Sequence, residues 1–319
     1  MADSPQTFRL SRRHVALFLL TAAAIYVLIP QLGDFRSSWR LLVSPEAGFT
    51  ALAIALTFGT FAAGSGTYRF LAFRPLRYGR TLLVQFAAMF VNRLLPAGVG
   101  AVGANYLYLR HERHKPSQAV SVVGINNLLG ATGHILIVLV TLLLFPGSSQ
   151  IDTGRFELDG TLLLKVMAVL VIGAVVVLLI FGRRKLAAAL RDVRKQLASY
   201  RRRPLALVAA QGTSILLTIC NVLCLLCCAY ALGIHLSFAA ILLIFTFGVG
   251  TGAAVPTPGG LGGFEAGLAA GFIAYGVDPA LALAAALLYR LISYWLTMAA
   301  GLVAFIFCQK QRFFSAATP

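Results

Sequence analysis

Residues 255–265 read Val-Pro-Thr-Pro-Gly-Gly-Leu-Gly-Gly-Phe-Glu and interrupt a long apolar stretch. Pro256, Pro258, Gly259, Gly260, Gly262 and Gly263 cannot continue a helix: proline lacks the N–H donor, and glycine gains backbone freedom outside one. Apolar sequence on both sides places the break at membrane depth. Irregular backbone survives there only inside protein or beside a water-filled cavity. Glu265 follows at once, an ionisable group where hydrocarbon is expected. A broken segment followed by a buried charge marks a functional site.

Hydrophobic residues make up 59% of the 319 and charged residues 12%, about half the charged share of a soluble domain. The chain therefore reads as a single integral membrane domain over 1–319, an all-α polytopic protein. Its longest stretch outside the membrane, 183–204, is too short for an independent soluble domain. The first apolar stretch is long and lacks a small-residue cleavage pattern, so it reads as a retained span. A formal net charge of +17 would fit nucleic acid on a soluble surface. Here the charge is sorted by side of the membrane, so no nucleic-acid partner is expected.

Six full spans are expected, at about 14–32, 48–68, 118–145, 161–182, 205–232 and 279–307. Residues 81–109 behave differently. An apolar helix reaches Asn92-Arg93, breaks at Leu95-Pro96-Ala97-Gly98-Val99-Gly100, and resumes to Leu109 between two basic patches. Two full crossings need about 34 residues, and 81–109 supplies 29. A re-entrant hairpin of two half-helices satisfies both constraints. Of the 27 Lys and Arg, 21 then fall on one side with both termini, and only Arg36, Arg40 and Arg155 on the other. The positive-inside rule makes the basic side cytoplasmic. Residues 183–204 read as a basic amphipathic helix on the anionic cytoplasmic leaflet, through Arg183, Arg184, Lys185, Arg201, Arg202 and Arg203.

The segment 238–277 holds the organising break and enters from the opposite side if it is also re-entrant. Two Gly/Pro-broken hairpins of opposite topology point to an inverted-repeat transporter. The repeat is one of topology, without residue-level similarity between the halves. At 1.5 Å per residue, Arg93, Glu265 and Arg290 each lie about 16–18 Å from their own face, near the bilayer middle. Glu265 and Arg290 form the obvious pair, leaving Arg93 an uncompensated cation. Half-helices starting after Gly100 and Gly263 aim their positive ends at the same region, which favours an anion. Asn92, Asn126, Asn127 and Asn221 could add hydrogen bonds or simply bridge helices. The Glu265–Arg290 pair could equally serve only to pin two helices.

Other patterns carry little. Gly98-Val-Gly100-Ala-Val-Gly103 fits a dinucleotide fingerprint as a string, but no strand precedes it. Cys220, Cys224, Cys227 and Cys228 share one helix face and read as small packing residues. No Ser/His/Asp set, HExxH or P-loop is present. No metal, other cofactor or catalytic residue is expected, and the chain reads as a non-enzyme.

Pro258-Gly-Gly-Leu-Gly-Gly-Phe-Glu265, with Asn92-Arg93-Leu-Leu-Pro96-Ala-Gly98 and Tyr289-Arg290, resembles the lysylphosphatidylglycerol synthase transmembrane-region family along essentially the whole chain. The resemblance implies a stand-alone bacterial, inner-membrane protein that binds or translocates lipids or lipid-linked headgroups. It does not imply synthase activity, because aminoacyl transfer in that family resides in a separate soluble domain. The expected site comprises Arg93, Glu265 and Arg290, with Asn92, Pro96, Gly98, Gly100, Pro258, Gly259, Gly260 and Gly262 shaping it. A flippase-like transporter of an anionic lipid headgroup is the first reading. A non-transporting accessory that docks a lipid- or envelope-synthesising enzyme on 183–204 is the second, and an intramembrane enzyme the third.

Overall fold

The computed structural model describes residues 45–94, 99–144, 194–255, 257–311 and 313–314. Among these residues the elements are α1 (Ala47–Leu71), α2 (Tyr78–Leu94), α3 (Val99–His111), α4 (Pro116–Leu144), a short helix at 194–199 and α5 (Pro204–Ala231). Then follow α6 (Phe238–Ala254), a 3-10 turn (Pro258–Gly260), α7 (Gly263–Ala274), α8 (Pro279–Arg290), a π-helical segment (Leu291–Leu296) and α9 (Thr297–Lys310). The protein is an all-α, multi-pass membrane protein. α1, α4, α5 and the continuous helix Pro279–Lys310 are long and apolar enough to cross a bilayer. The expected spans at 14–32 and 161–182 lie outside the described residues, as do Pro96, Gly98, Arg183, Arg184, Lys185 and Pro256.

The two ends of the bundle differ in charge. At one end Tyr200 Oη donates to Leu71 O (2.7 Å) and Arg203 Nη1 to Ala72 O (2.9 Å). There too Arg74 N–H donates to His114 Nε2 (3.2 Å), and the Arg80 guanidinium lies 5.8 Å from the Phe313 ring. The basic stretches 69–80, 110–115 and 194–203 therefore share one end. At the other end Glu46 N–H donates to Ala231 O (2.8 Å), and Asp278 Oδ1 caps α8 by accepting from Ala280 and Leu281 N–H. In the described part of 183–204, Tyr200 is fully buried against protein whereas Leu197 is exposed. Arg203, expected on the leaflet, is tied to Ala72 O; Arg201 and Arg202 are exposed.

Each end has its own core. Around Tyr68, Leu71, Val84, Tyr108, Ile125 and Cys308 the basic end packs α2 and α3 against α1, α4 and α9. Around Val222, Leu225, Ile241, Leu268, Phe272 and Ala285 the other end packs α6 and α7 against α5 and α8. Each pair forms a hairpin, α2–α3 from the basic end and α6–α7 from the opposite one. α6 and α7 close through glycines: a Cβ at Gly252 would lie 3.0 Å from the Phe264 side chain, and one at Gly271 3.0 Å from Ile244. Small residues are what let membrane helices approach this closely. The end of α2 and the turn before α7 meet between the two cores.

Candidate functional site

Three glycines make the second tip. Gly259, Gly260 and Gly262 have φ of 68°, 66° and 84°, a left-handed region costly for residues with a Cβ. Gly259 is doubly constrained, because a Cβ there would sit 2.5 Å from the Tyr294 ring. This backbone turns the Gly259 and Gly260 carbonyls toward Arg290, whose Nη2 donates to them at 3.1 and 3.3 Å.

Glu265 has two tasks. Its Oε2 accepts the Gly262 N–H (2.8 Å), capping α7, and its Oε1 accepts Arg290 Nε (2.6 Å). The paired side chains are only 10% and 12% exposed. In hydrocarbon either charge alone would cost several kcal/mol (~3 or more), so pairing is what lets both remain.

Arg93, in the last turn of α2, reaches the same place. Immediately after Arg290 the helix loosens into the π segment Leu291–Leu296, whose wider register leaves carbonyls free to accept from outside. Arg93 Nη1 donates to Tyr294 O and to Thr297 Oγ1 (2.6 Å), and its Nη2 donates to Ser293 O (2.7 Å). The Tyr294 ring touches both cations, 4.4 Å from the Arg93 guanidinium and 5.0 Å from that of Arg290. Phe264 adds a second face to Arg290 at 4.5 Å. Such ring contacts favour buried cations.

Arg93 and Arg290 both line a cavity of about 300 Å³, together with Gln85, Asn221, Tyr289 and Ser293. No carboxylate lines it among the described residues. Among the described residues no acidic side chain pairs with Arg93, and three neutral oxygens accept from its Nη1 and Nη2. The half-helix ends correct another expectation. Their N–H groups are not all open to a ligand, because Asn92 Oδ1 accepts the Ala101 N–H (3.2 Å) in α3, as Glu265 does at α7.

The structure therefore gathers Arg93, Glu265, Arg290, Gly259, Gly260 and Gly262 at one seam, with Pro258 opening the 3-10 turn. Gly100 has no room for a side chain beside the Val91 backbone. Asn221 lies at the cavity wall, with its amide donating to Leu217 O and accepting from Tyr289 Oη. Asn126 lines a neighbouring cavity, and Asn127 is exposed away from both. Sequence reasoning missed Ser293, Tyr294 and Thr297. The signal was Ser, Tyr and Thr three, four and seven positions after Arg290 in an apolar span.

A family model described as Lysylphosphatidylglycerol synthase TM region matches residues 15–301. The chain belongs to this family. A curated relative, a UPF0104 membrane protein from Methanothermobacter thermautotrophicus, is 37% identical over 73 residues, covering 23% of this chain and 22% of that protein. The match thus spans about a fifth of the relative's length. Membership of the lysylphosphatidylglycerol synthase TM region family agrees with the multi-pass membrane fold. The pairing of Pro258–Glu265 with Arg290 is the geometric counterpart of the motif that resembled the family in sequence.

Proposed function

We propose that this protein binds an anionic lipid headgroup between Arg93 and Arg290 and carries it across the cytoplasmic membrane. One observation carries the reading: two buried guanidiniums edge a single cavity, and among the described residues the one carboxylate beside them, Glu265, is already taken by Arg290. The residual positive charge suits a phosphate or another anion. A lysyl headgroup, by contrast, would bring an ammonium toward two arginines and no free carboxylate among the described residues. The basic end, with Arg201 and Arg202 exposed, faces the cytoplasm in this reading, by the positive-inside rule. No proton donor, nucleophile or metal enters the scheme, so the protein acts as a carrier and not as an enzyme.

A second reading rests on the protein oxygens that Arg93 and Arg290 already bind, three for each. Both arginines then serve architecture, and the protein is a scaffold for a lipid-synthesising enzyme.

Native mass spectrometry in mild detergent tests the choice, comparing wild type with Arg93→Ala and Arg290→Ala after supplying equal phosphatidylglycerol and phosphatidylethanolamine. The expected result is retained phosphatidylglycerol in wild type and its loss in both variants. Unchanged lipid occupancy in variants that still elute as monodisperse protein would remove the headgroup site. Vesicles reconstituted with the wild type then decide transport, through the rate at which labelled anionic lipid changes leaflet.

A further inference from the structure

Beside the arginine cavity lies a second one of about 480 Å³, bounded by α4, α5 and α6. The two share Leu217, Asn221 and Phe245, so they adjoin. Their chemistry differs. The second has no Lys, Arg, Asp or Glu among its lining residues, and although Thr67, Asn126, His134, Ser214, Thr218 and Asn221 reach its wall, most of the wall surface is apolar. It opens past Ala131, Ile135 and Val249, which are exposed on the outer surface of the bundle, a surface that faces hydrocarbon in a membrane protein. Its rim is where α4 meets α6: His134 Nε2 lies 3.2 Å from Thr246 Oγ1, and its ring 6.0 Å from Phe245.

We propose that this second cavity holds a hydrocarbon chain of the amphiphile whose anionic headgroup sits between Arg93 and Arg290, so that the ligand enters and leaves sideways between α4 and α6. The inference rests on the headgroup reading above. It names the ligand class: a lipid with a phosphate or similar anion joined directly to an alkyl or acyl chain, rather than a soluble anion. A polar pocket that adjoins an apolar one open to the bilayer has the division of an amphiphile. Both volumes fall in the range of ligand cavities. The physics also fixes what the chain contributes. A chain moved from bilayer to apolar groove exchanges one hydrocarbon environment for another. Affinity therefore resides in the headgroup, and the groove decides route and orientation. Chains of different length should be retained equally.

Gly130 provides the test. It lines the second cavity, and a Cβ built there meets nothing within 4 Å, so Gly130→Trp projects a ring into the groove without striking the helix packing. Ala131→Trp, at the exposed lip, serves as a second variant if the first does not fold. The probe is phosphatidic acid with a diazirine in mid-chain, cross-linked in detergent and mapped by peptide mass spectrometry. Glycerol 3-phosphate supplies the same headgroup chemistry without a chain, its binding read from the shift in melting temperature. The expected result is adducts on residues 126–135 and Val249, reduced at least fivefold by either tryptophan, with the glycerol 3-phosphate shift unchanged. Adducts elsewhere, or an unaltered yield in both variants while the glycerol 3-phosphate shift persists, overturn the lateral groove and leave the headgroup site standing. Glycerol 3-phosphate binding without any chain adduct assigns the site to a soluble anion and also overturns the proposal. If neither probe responds to Arg290→Ala, the headgroup reading itself fails and takes the groove with it.

Discussion

The two hairpins meet one requirement by opposite means. Each brings broken backbone to mid-depth, where unsatisfied N–H and C=O groups are costly. The α6–α7 hairpin satisfies itself from nearby residues: Glu265 caps its own helix, Gly259 and Gly260 present carbonyls to Arg290, and glycines zip the two helices together. The α2–α3 hairpin leans on the rest of the bundle. Arg93 is held by the π segment some 200 residues away in sequence, and α2 fits against α9 because Gly301 has no Cβ, which would come 2.7 Å from Phe86 O. A self-contained break is written in one stretch of sequence. A break held by distant partners is not.

The largest effect expected from this contrast is at Glu265. Glu265→Gln keeps the size of the side chain but leaves Arg290 as a buried charge without its counter-ion, which should cost about 3–5 kcal/mol. Arg93→Met deletes its own charge along with its donors and should cost less, about 1–3 kcal/mol. Thermal unfolding in detergent checks the order. A larger loss for Arg93→Met would break the distinction between a charge-paired hairpin and a hydrogen-bonded one.

Glycine substitutions come next, at about 1–3 kcal/mol each from overpacking. A Cβ at Gly267 would collide with the Thr251 hydroxyl and come within 3.0 Å of Gly248 Cα, whereas at Gly100 the obstacle is the backbone of Val91 and Asn92. Thr251→Ala is therefore expected to restore much of the melting temperature lost in Gly267→Ala. No truncation in α2 should rescue Gly100→Ala, since backbone cannot be trimmed. Rescue of both, or neither, would show that the two closures are alike.

Asn92→Ala sharpens the comparison of caps. It removes one neutral bond to the start of α3 and should cost about 1 kcal/mol, visible as faster hydrogen exchange at Ala101 with little change elsewhere.

The smallest effect concerns the mouth of the first hairpin. His114 is buried between α3 and α4, with Nδ1–H donating to Leu109 O (3.1 Å) and Nε2 accepting the Arg74 N–H (3.2 Å). Acceptance at Nε2 requires the neutral ring, and burial pushes its pKa below the ordinary 6.5, against weaker upward pulls from the Leu109 and Glu112 backbone. The unfolded chain then binds the proton more readily than the folded one. This stabilisation is complete above 6.5 and is lost as pH falls toward the lowered folded value. The melting temperature of the wild type should drop between pH 7 and pH 5, and that of His114→Gln should drop less. Equal slopes would mean that His114 does not titrate in this window.

Much of the architecture is legible in the sequence because the membrane imposes simple rules. Apolar length fixes the spans at 48–68, 118–145, 205–232 and 279–307, each matched by a long helix. The basic patches, which the structure gathers at one end of the bundle, demand that 81–109 return to its starting side. Glu265, Arg290 and the glycines just before Glu265 could be read together because the two ionisable groups, 25 residues apart, are each costly in hydrocarbon alone and the glycines mark the break beside them. Tertiary structure decided the rest. That Arg93 reaches Ser293, Tyr294 and Thr297 depends on a π segment with no Pro or Gly to announce it. That Tyr294 contacts both cations, and that an apolar groove adjoins the arginine cavity, depends on packing between distant helices. Local sequence sets where backbone must break and where charge must be paired; which distant oxygens and rings complete the pairing is settled only when the two cores close on each other.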